Sequence, residues 1–189
     1  MSLRVFLDAN ALFTAAYNPL GLARLLFDFQ RRNAVFLLTS PLAIEEAKIN
    51  LRIKKPAALE EFGKPHSFLD VVKAPAHFSV TLELPPKDLS IFVAAVAAKA
   101  THLLSGDKKH FGRYFNKPLQ ILGVVIQTVR EFLSTFAKDH GCKPVEVSSI
   151  TLALNHDSEV ISMVMPSVEG KESSRLLRNT SVHAERVEA

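Results

Sequence analysis

Only one cysteine, Cys142, stands in the 189 residues, and tryptophan is missing altogether. A single thiol excludes an internal disulfide and any cysteine-built zinc site, and it suits a reducing compartment. Long apolar runs are missing too. The longest, residues 91–98, falls far short of the roughly 20 residues a membrane span needs. Asp8 interrupts the stretch where an export signal would carry its apolar core, so the expected location is the cytoplasm. Aromatic side chains are absent from residue 137 onward, although 13 Phe and 2 Tyr precede it.

That last absence divides the chain. Residues 141–189 are rich in Ser, Glu and Arg, and without aromatic side chains they are expected to form a poorly structured C-terminal tail. Order gained only on a partner, and a hairpin pairing residues 145–154 with the apolar stretch 160–165, are the alternative readings. Residues 1–140 hold the composition of a folded domain. Charge follows the same division: residues 1–141 carry 18 Lys and Arg against 12 Asp and Glu, and residues 142–189 carry 5 against 7. The basic body suits a polyanionic partner such as nucleic acid, and the acidic extension is suited to wrapping a partner or shielding that basic face.

Within the body, short apolar runs alternate with helical patterns. Residues 3–7 are apolar apart from Arg4, lack helical period and read as a buried strand ending at Asp8. A helix start follows at 11–13, then punctuation at Asn18, Pro19 and Gly21, a second helical pattern to Phe29, and a strand over 34–39. Ser40-Pro41 is an N-cap with proline in the first turn, and Arg52, Lys54 and Lys55 close that helix with the sign its C-terminus favours. A further helical segment is expected within 57–69, and two short strands at 70–73 and 79–82.

Residues 86–107 organise the remainder. Asp88 opens an Ala-rich helix ending near Lys99, a strand runs over 102–105, and Asp107 stands just past its end. A short helical turn is expected at 108–112, a strand at 121–126, and a helix capped by Thr128 running to Lys138, with His140-Gly141 as its stop. Alternation of this kind implies an α/β domain with a parallel sheet. In such sheets helix N-termini and strand C-termini share one edge, where sites are built. Asp88 and Asp107, nineteen residues apart in sequence, are therefore expected to lie close in space, and gathered carboxylates repel unless a cation joins them.

The stretches 5–12, 39–47, 88–96 and 103–111, with Asp8, Asn10, Glu46, Asp88 and Asp107 in that order, resemble the signature of the PIN domain, a family of small metal-dependent ribonucleases. The resemblance covers residues 3 to about 135. It implies a parallel-sheet α/β/α sandwich of PIN type with Mg²⁺ or Mn²⁺ at its acidic edge, cleaving RNA phosphodiesters. Hard oxygen ligands suit those ions. On that resemblance Asp8, Glu46, Asp88 and Asp107 are the catalytic acids, with Asp8, Asp88 and Asp107 on the metal. Asn10 and Ser105 would hydrogen-bond to the carboxylates, and Lys108, Lys109, His110 and Arg113 would hold phosphate. Glu45 is the alternative to Glu46 by helix register. Many PIN domains are toxins paired with an antitoxin protein and many dimerise, so a protein partner and a second copy are both expected from the family.

This chain departs from the family at two positions. Ala9 stands where the family usually has a hydroxyl residue, and His110 where it often has a further acid. Two other functions compete. A phosphatase of the haloacid-dehalogenase type also begins with a strand ending in Asp, but needs a second Asp two residues on, where this chain has Asn10. A non-catalytic RNA- or protein-binding module would accommodate Ala9 and His110. Each acid also has an ordinary reading as a helix cap or turn residue.

Overall fold

A computed structural model describes residues 3–63, 69–78 and 80–139. The described residues up to Phe136 belong to one compact unit. The expected tail, its alternative hairpin, Cys142 and the His140-Gly141 stop lie outside the described residues.

Five strands form one sheet: β1 (Leu3–Leu7), β2 (Val35–Thr39), β3 (Asp70–Val71), β4 (His102–Leu104) and β5 (Val125–Gln127). Their order is β3-β2-β1-β4-β5 and every pairing is parallel. Among the described residues six α-helices connect and flank them: α1 (Ala9–Tyr17), α2 (Leu22–Arg31), α3 (Pro41–Lys54), α4 (Ala58–Gly63), α5 (Pro86–Ala97) and α6 (Val129–Asp139). This is the α/β architecture the alternating pattern predicts. Val5, Phe6 and Leu7 are fully buried, which is why β1 reads as an unbroken apolar run rather than an alternating one.

The chain winds outward from β1 to β3, then returns through α5 to β4 on the other side of β1. With right-handed crossovers the two sets of connections lie on opposite faces of the sheet. The paired C-terminal ends of β1 and β4 thus mark the point where the strand order reverses, the place where sheets of this kind build their sites. Ala94 and Ala95 of α5 are fully buried, and their small side chains let the helix approach closely. Lys99, at φ 53°, breaks α5 and turns the chain into β4.

Local chemistry sets the helix ends. Ser40 accepts at its Oγ from the Ala43 N–H at 3.2 Å with Pro41 behind it, opening α3. Thr128 and Glu131 form a reciprocal cap on α6: Glu131 Oε2 accepts from the Thr128 N–H at 2.8 Å, and Thr128 Oγ1 accepts from the Glu131 N–H at 3.2 Å. Two expectations fail. Residues 80–82 form no strand, and Ile121 to Gly123 form a turn, with strand pairing starting only at Val125. Leu122 at φ 56° and Gly123 at φ 82° take left-handed conformations that extended pairing does not allow.

Candidate metal centre

Asp8 ends β1 and caps α1: its Oδ1 accepts from the Ala9 N–H at 2.6 Å. The backbone is locked to the neighbouring strand, because the Asp8 N–H donates to the Leu104 carbonyl at 3.1 Å. The other carboxylate oxygen accepts from the Ser105 hydroxyl at 2.6 Å. That hydroxyl also accepts from the Asp107 N–H at 3.0 Å, so one buried serine fastens the loop after β4 to the end of β1. Gly106 completes the contact. A Cβ there would meet Asn10 Oδ1 at 2.3 Å, so the Asn10 carboxamide lies directly over the glycine.

Asp8 is only 6% exposed. Burial pushes its carboxyl from the usual 3.8 up to about 6. The bonds from Ser105 and Ala9 oppose that rise, while repulsion from Glu46 and Asp88 adds to it. Glu46 and Asp88 thus act on the end of β1 from α3 and from the first turn of α5. Asp88 is also raised, first by desolvation and then by Asp107 and Glu46, with His110 and Lys87 opposing. Burial would raise Asp107 as well, but hydrogen bonds from His110 and Lys109 and the charge of His110 hold it below the usual value.

The four acids named from the sequence therefore interact at one sheet edge. Of the two candidate glutamates, Glu46 is the one that acts on Asp8 and Asp88; its carboxylate pairs with Lys87 at 2.5 Å. Glu45 points to solvent and pairs with Arg52 at 3.6 Å. The cap and turn readings of Asp8 and Asp107 also hold, at the level of single atoms. Each carboxylate spends one oxygen on local N–H groups, Asp107 Oδ1 accepting from Lys109 and His110 at 2.9 and 3.1 Å. The second oxygen accepts from the Ser105 hydroxyl in Asp8 and lies 2.7 Å from His110 Nδ1 in Asp107.

His110 is where the sequence reading placed a phosphate contact. Its ring nitrogen Nδ1 lies 3.0 Å from Asp88 Oδ2 and 2.7 Å from Asp107 Oδ2. One donor atom from each of these three residues falls within 4.8 Å of the others, a grouping able to hold a cation. The signal available in sequence was the Asp107-x-x-His110 spacing, which places both side chains on one side of a helical turn. The Lys87–Glu46 pair had no comparable signal. Arg113 stands apart from the acids: it pairs with Glu83 and its guanidinium lies 5.3 Å from the Tyr114 ring centre. Lys108 exerts its charge on Glu131, at the start of α6.

The donor set fits a divalent cation. The grouped donors are carboxylate oxygens of Asp88 and Asp107 and one imidazole nitrogen of His110, which suit such an ion. Asp8 stands outside this grouping, with its two oxygens taken by the Ala9 N–H and the Ser105 hydroxyl. The repulsion that adds to the rise of Asp8 and Asp88 is what a cation would relieve. No helix among the described residues is long and apolar enough to cross a membrane.

No protein-family model matches the chain, and neither does any curated protein sequence. Among solved structures, the chain is similar to VapBC2 from Rickettsia felis bound to a DNA fragment from their promoter, at 15% identity and a TM-score of 0.47. The match covers 67% of this chain and 98% of that one.

Proposed function

We propose that this protein is a PIN-type, Mg²⁺- or Mn²⁺-dependent endoribonuclease. The observation that carries the reading is the grouping of Asp88, Asp107 and His110, whose donor atoms lie within 4.8 Å of one another at the sheet edge where the strand order reverses, with the buried Asp8 repelled by Glu46 and Asp88 beside it. The four motifs quoted above supply the RNA substrate and the family, through resemblance. In this reading Asp8, Asp88 and Asp107 hold the ion, and Glu46 orients the attacking water. When bound, the cation would acidify that water and offset charge on the phosphate. The water oxygen adds to phosphorus while the bond to the bridging oxygen breaks, leaving one end with phosphate and the other with a hydroxyl. Ser105 and Asn10 fix the carboxylates, and Lys108 and Lys109 hold backbone phosphate. A cytoplasmic toxin neutralised by an antitoxin protein, acting as a homodimer, is the family role this proposal carries with it.

The phosphatase reading loses its footing at Asn10, whose uncharged side chain over Gly106 offers no general acid. The test is cleavage of single-stranded RNA with Mg²⁺ or Mn²⁺ by the wild type, Asp8→Asn and Asp107→Asn. Cleavage by the wild type and its loss in both variants is expected. Cation binding without cleavage would favour a binding module, and phosphate release from a small monoester would favour the phosphatase.

A further inference from the structure

We propose that His110 is a direct nitrogen ligand of the cation, and that it tunes the centre towards Mn²⁺ and similar first-row ions over Mg²⁺. The inference rests on the metal-dependent reading above and deepens it.

The first argument is spacing. Adjacent ligands about 2.1 Å from an octahedral ion lie about 3 Å apart. His110 Nδ1 stands 3.0 Å from Asp88 Oδ2 and 2.7 Å from Asp107 Oδ2, so the nitrogen already holds ligand-to-ligand distances to carboxylate oxygens from two chain segments, and donor atoms of all three residues lie within 4.8 Å of one another. The second is anchoring. The His110 backbone N–H donates to Asp107 Oδ1 at 3.1 Å, and the next residue, Phe111, is fully buried. The Phe111 N–H in turn donates to the Asp107 carbonyl at 3.1 Å. The imidazole is thereby fixed to the loop that carries its carboxylate partner.

The third argument is ligand chemistry. An all-carboxylate centre serves Mg²⁺, which strongly prefers oxygen and gives up water reluctantly. Imidazole suits first-row transition-metal dications rather than Mg²⁺, and Mn²⁺, which also accepts carboxylates, is the member of that series that fits a mostly oxygen set. The competing account is a protonated His110 acting only as an internal counter-ion between Asp88 and Asp107, with no place on the metal.

Direct binding measurements on the full-length protein separate the two. Mn²⁺ and Mg²⁺ affinities are measured by calorimetry, and the Mn²⁺ complex is examined by pulsed EPR for nitrogen coupling. The expected result is Mn²⁺ affinity about tenfold or more above Mg²⁺, with a ¹⁴N coupling typical of bound imidazole. The coupling should vanish in His110→Gln and persist in His102→Gln, a histidine whose Nδ1 instead lies 2.9 Å from Thr101 Oγ1. His110→Asp, which restores an oxygen donor, should narrow the Mn²⁺ preference. Mn²⁺ bound by oxygen alone in the wild type, or a nitrogen signal surviving in His110→Gln, overturns the proposal while leaving the nuclease reading intact. Failure of both cations to bind overturns both readings.

Discussion

The Ser105 hydroxyl donates to Asp8 Oδ2 at 2.6 Å, tying the ends of two neighbouring strands across 97 positions of sequence. Serine is favoured there because it is both donor and acceptor: it gives its proton to Asp8 and takes the Asp107 N–H. Ser105→Ala removes one of the two bonds opposing the upward shift of Asp8 and strands a buried carboxylate oxygen. The expected outcome is a loss of about 10- to 100-fold in cation affinity or cleavage rate. The acidic limb of the pH–rate profile should also move to higher pH. An unchanged profile would show that the hydroxyl does not tune Asp8.

Asp8 should cost the cation-free protein stability. Its folded-state value, about 6, exceeds the ordinary 3.8, so the fold keeps a proton that the unfolded chain has already released. Stability from this group is therefore full below about pH 4, declines as pH rises to about 6, and stays low above. A shift of about two units corresponds to about 3 kcal/mol. Asp8→Asn should gain about 1–3 kcal/mol at pH 7.5 with chelator present, and should lack the decline between pH 4 and 6. Added Mg²⁺ or Mn²⁺ should raise the wild-type midpoint and leave the variant's unchanged. Urea unfolding across that pH range is the measurement; parallel curves for the two proteins would contradict the account.

Glu45 and Glu46 show where sequence reading reaches its limit. Both fit the early turns of α3, and helical period alone cannot say which side chain meets acids contributed by other segments. The fold decides, because Glu46 acts on Asp8 and Asp88 while Glu45 pairs with Arg52 in solvent. Glu46→Gln should lower cleavage by at least about tenfold, and Glu45→Gln should be silent in the same RNA assay. Strand ends followed by acids were legible because buried parallel strands write continuous apolar runs. His110 was less so, since its partner Asp88 is 22 positions away and only the tertiary fold joins them. The turn at Ile121 to Gly123 was misread for a different reason: it is apolar like a strand, but left-handed at Leu122 and Gly123.

Gly106 and Asn10 should behave as a coupled pair. A methyl at 106 would displace the Asn10 carboxamide rather than backbone, so Gly106→Ala should cost no more than about 1 kcal/mol of stability. If that carboxamide orders the carboxylates, Gly106→Ala and Asn10→Ala should each reduce cleavage, and the double variant should be no worse than the poorer single. Additive losses in the double-mutant cycle would mean the two residues act separately.

RNA contacts should be read from salt dependence rather than affinity alone. Each phosphate neutralised on a single strand contributes about 0.7 to the slope of log affinity against log salt. In an Asp107→Asn background that binds without cutting, Lys108→Ala and Lys109→Ala should each flatten the slope by about that amount. Arg113→Ala should change it little, because its guanidinium is already paired with Glu83. Filter-binding titrations between 50 and 300 mM salt would make the comparison. A large slope change confined to Arg113→Ala would place the strand along the Glu83–Tyr114 side of the molecule, away from the lysines.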